Sequence, residues 1–356
     1  MTLPLGALLN AEYPAHELLD LGELCEQLGY DQLWYTDVRL FRECYVGLAA
    51  LATRTRRIHL GPGVTDPYSR HPAVTAATMA TLDELSDGRA LLGLGIGSTG
   101  FRELGLETPL PVAALRESVA LIRRLLRGEE VTTQGKVVSL QQGRLQFRPM
   151  RHGIPIYFAT HGAQIARLAG EVADGVLLAN AVTPAMVAFY LDQVREGAAK
   201  SGRRPSDLDI GLRFEVCLDE DEQAAFAVMR RRVAQRLIAG YPRLEFLERL
   251  AVVLPEPFLE VARGKDMGEL DRAAAALPRE AVERTVLAGS PERVAAQVAS
   301  LLQPGITRLT IRPHAASGGT VAGVLRAFAH TVMPRVVELR SAGAVPTTSD
   351  TGGRTC

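Results

Sequence analysis

The chain has 356 residues, 47% of them hydrophobic, with 40 basic and 40 acidic side chains that leave no formal net charge. Neutrality gives no electrostatic footprint for nucleic acid or an anionic membrane. No stretch approaches the ~18 uninterrupted apolar residues of a membrane-spanning helix, and no basic leader precedes an apolar run, so a soluble cytoplasmic protein is expected. Its four cysteines, Cys25, Cys44, Cys217 and Cys356, include no C-x-x-C pair. That spacing fits neither a structural zinc site nor a disulfide framework, and no metal is expected.

In chain order, residues 3–9 form an apolar run stopped by Asn10 and Pro14, a first strand. Residues 15–28 carry leucines at helical spacing up to Gly29. Residues 32–36 read as a second strand with Asp37 at its carboxyl end, and 44–53 as a helix. The window 57–100 then holds an apolar run at 58–60, a polar elbow, a helical segment at 73–86 and a second apolar run at 90–96. This is a parallel βαβ unit with glycines past both strands. Residues 111–126 are a helix with Pro111 in its first turn, and about 130–147 a small inserted hairpin.

Strand, helix, strand, helix follow at 154–159, 163–172, 175–178 and 184–202, and a long strand at 208–218. From about 219 to 287 the pattern is helical, with no strand, and reads as an insertion. A helix at 291–302, a strand at 308–312 and a closing helix at 320–340 complete the chain. Eight strands alternating with helices predict a single (β/α)8 barrel over 1–340, with the helical insertion late in it; a doubly wound sheet is the alternative. Residues 341–356 lack apolar content and are expected to be a disordered tail.

Gly95-x-Gly97-x-x-Gly100 matches the dinucleotide pattern, but Gly105, Pro109 and Pro111 forbid a helix opening at its last glycine, so a Rossmann site is rejected. The remaining readings are a plain loop or a turn that lets backbone approach a flat ring. Thr160, His161 and Gly162 lie between a strand and a helix start, where backbone N–H groups suit an anion; His161 itself is equally a structural residue. Arg39 and Arg42 are either solvated or placed for an anionic substrate. No Ser-His-Asp order, H-E-x-x-H or P-loop occurs.

Residues 61–72, GPGVTDPYSRHP, resemble the luciferase-like flavin and deazaflavin oxidoreductases, most closely the methylene-tetrahydromethanopterin reductase branch. The resemblance runs over about residues 1–215 and returns near 286–313. It implies hydride transfer between reduced deazaflavin (coenzyme F420) and a small-molecule substrate. An FMN-dependent monooxygenase is the alternative, and a flavin- or deazaflavin-binding protein without turnover a second. It also implies a non-prolyl cis peptide at Gly63-Val64 behind the cofactor ring, with Thr65 beside it. Gly95, Gly97 and Ser98 would line the ring, Ala159, Thr160, His161, Gly162 and Asn180 would hold the cofactor's phosphate or ribityl chain, and Asp37 would act at the reactive edge. Many relatives have His after that Asp; Val38 stands here instead and argues against the sugar-phosphate dehydrogenase chemistry that uses it. A homodimer through helices two and three is implied, with Ala76, Ala77 and Ala80 allowing close approach.

Overall fold

In the computed structural model, residues 3–97 and 100–342 are described. Parallel strands β1 (Leu5–Leu9), β2 (Gln32–Tyr35), β3 (His59–Pro62) and β4 (Leu92–Leu94) form the first half of the sheet. A two-stranded antiparallel ribbon, β5 (Val131–Gln134) with β6 (Ser139–Gly143), intervenes. The second half is β7 (Ile156–Thr160), β8 (Gly175–Ala179), β9 (Asp209–Leu218) and, after the short β10 (Leu287–Gly289), β11 (Arg308–His314). The order around the sheet is β3-β2-β1-β11-β9-β8-β7-β4. Parallel bridges Leu60–Ala90 and Thr65–Leu94 bring β4 back to β3, so the sheet closes into a barrel of eight parallel strands.

The helices α1 (Ala15–Gln27), α2 (Cys44–Arg54), α3 (Pro72–Leu85), α4 (Pro111–Leu126), α5 (Ala163–Val172) and α6 (Pro184–Lys200) follow the first six barrel strands. After β9 come α7 (Glu222–Gly240), α8 (Phe246–Arg249), α9 (Glu256–Gly264), α10 (Leu270–Ala276) and α11 (Arg279–Glu283), then α12 (Pro291–Leu301). Beyond β11 lie α13 (Val321–Ala327) and α14 (Met333–Ser341). Each α-helix that follows a barrel strand turns its apolar stripe onto the sheet, in keeping with the 3.6-residue period.

Three expectations need correction. The run at 90–96 is a strand only over Leu92–Leu94, because the backbone leaves the ladder at the glycines. The 219–287 segment runs into a strand, β10, which pairs with the far end of β9; three residues are too few for a periodic signal. Ala76 and Ala80 are buried inside the protomer, so they serve α3 packing on the barrel and cannot line an outer face. The expected tail falls on 343–356, outside the described residues; Ser341 still ends α14.

The lumen is filled in layers. At the strand starts, Arg308 pairs with Asp31 at 2.9 Å and Asp209 at 2.5 Å, and Tyr157 donates to Asp209 at 2.7 Å. Above this polar floor sit Leu8, Trp34, Leu91, Tyr157 and Leu177. The carboxyl ends of the strands are the open mouth. Among the described residues no helix is long and apolar enough to cross a membrane, and no cluster of metal-ligating side chains occurs.

Candidate active site

Gly61-Pro62-Gly63 leads β3 out of its pairing, and the Gly63–Val64 peptide is cis. Val64 turns toward the next strand: a Cβ on Gly95 would fall 2.5 Å from its Cγ2. Gly97 follows with φ +69°, a conformation glycine adopts without steric cost. Val64 thus packs closely on the Gly95 backbone and Arg39 lies against Gly97, and no helix starts before Pro111. Ser98 lies outside the described residues.

Asp37, one residue past Thr36 after β2, lies next to Thr65, which follows Val64. Burial raises its carboxyl pKa, while Arg70 and Arg39 oppose the shift and Asp66 adds to it. Thr65 sits between Asp37 and the Tyr45 hydroxyl, yet its buried Oγ1 meets no partner at hydrogen-bonding geometry. The expected arginines are committed elsewhere. Arg39 pairs with buried Asp66 at 2.8 Å and covers Phe101 at 4.1 Å; Asp66 also ties Tyr68 and Ser69 through their N–H groups. Arg42 donates to the carbonyl of Glu12 at 2.8 Å. His71 caps α3, its Nδ1 accepting from the Ala73 N–H at 3.1 Å.

Across the mouth, Thr160 Oγ1 accepts from the Gly162 N–H at 2.9 Å, and Tyr190 donates to the His161 carbonyl at 2.5 Å. Gly162 then opens α5 with no side-chain cap, which leaves first-turn N–H groups and the helix dipole facing the mouth. Asn180, after Ala179, holds φ +59°, a left-handed conformation that Asn tolerates better than most residues. Its buried Oδ1 has no partner. The structure thus brings Asp37, Gly63, Val64, Thr65, Gly95, Gly97, Ala159, Thr160, His161, Gly162 and Asn180 to one end of the barrel.

Water reaches the His161 ring, but protein surrounds it, with Phe246 of α8 edge-on at 5.3 Å. Burial, with Arg236 and Arg213 nearby, lowers its pKa from 6.5 to about 4. The unfolded chain therefore takes up this proton first, so the neutral ring's contribution is present above pH 6.5 and lost as pH falls toward 4. A His161→Gln variant should lose less stability than the parent over that window, as read by urea midpoints at each pH. Because the ring is accessible, the difference should be smaller than the full shift implies. Identical acid limbs would refute it.

The opposite wall was not anticipated from the sequence. Glu215 of β9, 5% exposed, accepts from Arg213 at 2.9 Å, Arg312 at 3.3 Å and His314 at 2.5 Å. Burial alone would raise its pKa, but Arg312, Arg213 and the His314 contact hold it well below the carboxylate range. Arg312 also donates to Asn10 at 2.6 Å, and Arg232 of α7 pairs with Glu12 at 3.0 Å. Arg236, one turn further along α7, has buried Nε and Nη2 with no hydrogen-bond partner. The sequence signal was available: in RFEV and IRPH a charge or imidazole recurs every second residue of strands otherwise buried on both faces.

A family model described as luciferase-like monooxygenase matches residues 3–308. The chain belongs to the luciferase-like monooxygenase family. Among curated relatives, the 5,10-methylenetetrahydromethanopterin reductase of Methanolobus tindarius is 33% identical over 298 residues, 83% of this chain and 90% of that protein. The F420-dependent glucose-6-phosphate dehydrogenase of Beutenbergia cavernae is 31% identical over 351 residues, covering 94% and 97%. The solved coenzyme F420-dependent tetrahydromethanopterin reductase of Methanopyrus kandleri superposes with TM-score 0.83 at 28% identity, over 94% of this luciferase-like chain and all of that one. The chain is accordingly an oxidoreductase of this luciferase-like family.

Gly63 is also fixed by packing: a Cβ there would lie 2.7 Å from Leu8 Cδ1 and 2.8 Å from Trp34 Cβ. Those atoms belong to the lumen core, so Gly63 is needed by the fold itself.

Proposed function

We propose that this oxidoreductase transfers a hydride between coenzyme F420 and an organic substrate within the mouth of the barrel. Bound reduced deazaflavin supplies the two electrons as a hydride from ring carbon C5. The observation that carries the reading is the buried Asn180 Oδ1, which has no protein partner at the mouth where α5 also opens without a side-chain cap. A polar cofactor side chain would supply the missing donor.

On this reading Val64 backs the ring and Thr65 with Asp37 meets its polar edge. A carboxyl whose pKa burial has raised can hold or yield a proton there at its own oxygen. The Thr160–Gly162 turn and the open start of α5 receive the cofactor's anionic tail. Val38 offers no imidazole beside Asp37, so no proton donor of that kind acts from this position. A homodimer formed through the outer faces of α2 and α3, where Val46 and Val74 are exposed, belongs to the same reading.

Fluorescence titration with F420 and with FMN tests it. F420 should bind at least about a hundredfold more tightly than FMN, a difference of about 2.7 kcal/mol. Gly95→Val should weaken F420 by about tenfold or more and lower the thermal midpoint as well, because its Cβ would press on Val64 at 2.5 Å. Preferential binding of FMN would instead identify a flavin-dependent enzyme.

A further inference from the structure

In the ring order of the barrel, β9 stands four strands from β3 in either direction, so the wall carrying Arg213 and Glu215 faces Gly63–Val64 across the mouth. Arg312 and His314 on neighbouring β11 extend that wall, and α7 of the insertion lowers Arg232 and Arg236 toward it. Four arginines meet two carboxylates, Glu215 and Glu12. His161, enclosed by protein although water reaches it, and buried His314 are both held toward the neutral form, so the excess charge is positive.

Glu215 is already shared by Arg213, Arg312 and His314, and Glu12 is taken by Arg232. Arg236 makes no hydrogen bond through Nε and Nη2, which are shut from solvent, and only the shared Glu215 attracts it. An unpaired buried cation costs free energy, and a fixed excess of positive charge in a cleft attracts anions. Phe246 and the His161 ring close one side of this space.

We propose that the substrate carries an oxyanion, a carboxylate or a phosphate, and that Arg236 with Arg213 and Arg312 holds it on the wall facing Gly63–Val64. The assignment to substrate rests on the reading of the Gly63–Val64 strand end as the cofactor's backstop, because the ring's free face then looks at β9. Arg236 is a residue of the insertion, so the oxyanion grip comes from the segment that distinguishes this barrel from a bare one.

Inorganic phosphate and acetate, titrated calorimetrically into protein saturated with oxidised F420, test the site and separate the two oxyanion types. One of the two should bind the parent, about tenfold more weakly to Arg236→Met and less than about threefold more weakly to Arg236→Lys, with F420 affinity unchanged within about twofold. Circular dichroism confirms that each variant is folded, and Arg236→Lys, which keeps the charge, provides the comparison if Arg236→Met is not. If neither anion binds the loaded parent, the proposal fails. If Arg236→Met loses F420 affinity instead, the arginine serves the cofactor's tail and the proposal also fails. If the parent binds no F420 at all, the cofactor reading fails separately, and the same titration on the bare protein decides the oxyanion site.

Discussion

A Glu215→Gln variant should lose about 3 kcal/mol of stability, the lower part of the range for breaking a buried ion pair. Its carboxylate is the common acceptor of Arg213, Arg312 and His314, and an amide cannot compensate two nearby cations. The lower figure is chosen because Arg312 is 26% exposed and relaxes partly into solvent. The pH dependence has a definite sign. The folded-state pKa is depressed below the ordinary 4.5, so the ion pairs stabilise fully above that value and fade as pH falls through the lower folded value. The parent should therefore lose stability on acidification below pH 4.5, and Glu215→Gln should show a flatter limb. Urea midpoints at neutral pH and in acid measure both; a neutral-pH loss below about 1 kcal/mol would mean the arginines hold without it.

Gly61→Ala should be as damaging for a reason of pure geometry. A Cβ at Gly61 would sit 1.8 Å from the Leu91 carbonyl oxygen, and backbone cannot step aside as a side-chain end can. This is the seam where the barrel closes: Leu60 donates to Arg89 at 3.1 Å, Leu91 to Leu60 at 2.9 Å, and Thr65 to Gly93 at 3.0 Å. The methyl forces β3 and β4 apart and removes those bonds together, so the cost should reach or exceed the ~3 kcal/mol top of the overpacking range. Gly153→Ala, whose Cβ meets nothing within 4 Å, is the control and should change stability by no more than about 0.5 kcal/mol. Comparable thermal midpoints for the two variants would show that the seam adapts.

Much of the barrel was legible because each strand is an apolar run and each helix a 3.6-residue stripe; α4 and α5 run over 111–126 and 163–172 in both accounts. The glycine-rich strand ends were legible too, since Gly63, Gly95 and Gly97 stand where backbone must come close. The Glu215 wall was harder. Arg213, Glu215, Arg312 and His314 are 97 to 99 residues apart across two strands, and local pattern reports only that each strand alternates. Arg236 and Arg232 sit on a helix whose face looks like any solvated Arg-rich face until α7 is seen over the mouth. The alanines of α3 failed for the opposite reason: small residues permit close packing, but sequence does not say against what.

The floor of the lumen has a consequence for divergence. Arg308, Asp31, Asp209 and Tyr157 lock the strand starts by contacts that involve none of the residues at the mouth. Substitutions that retune the insertion or the loops at the far end leave those locks intact, so the scaffold tolerates drift in what it accepts. Conversely, a change at Arg308 disturbs three strands at once, β2 through its neighbour Asp31, β9 through Asp209 and β11 itself. Selection for a new reactant and selection for a stable barrel thus act on opposite ends of the same strands, and neither need wait for the other.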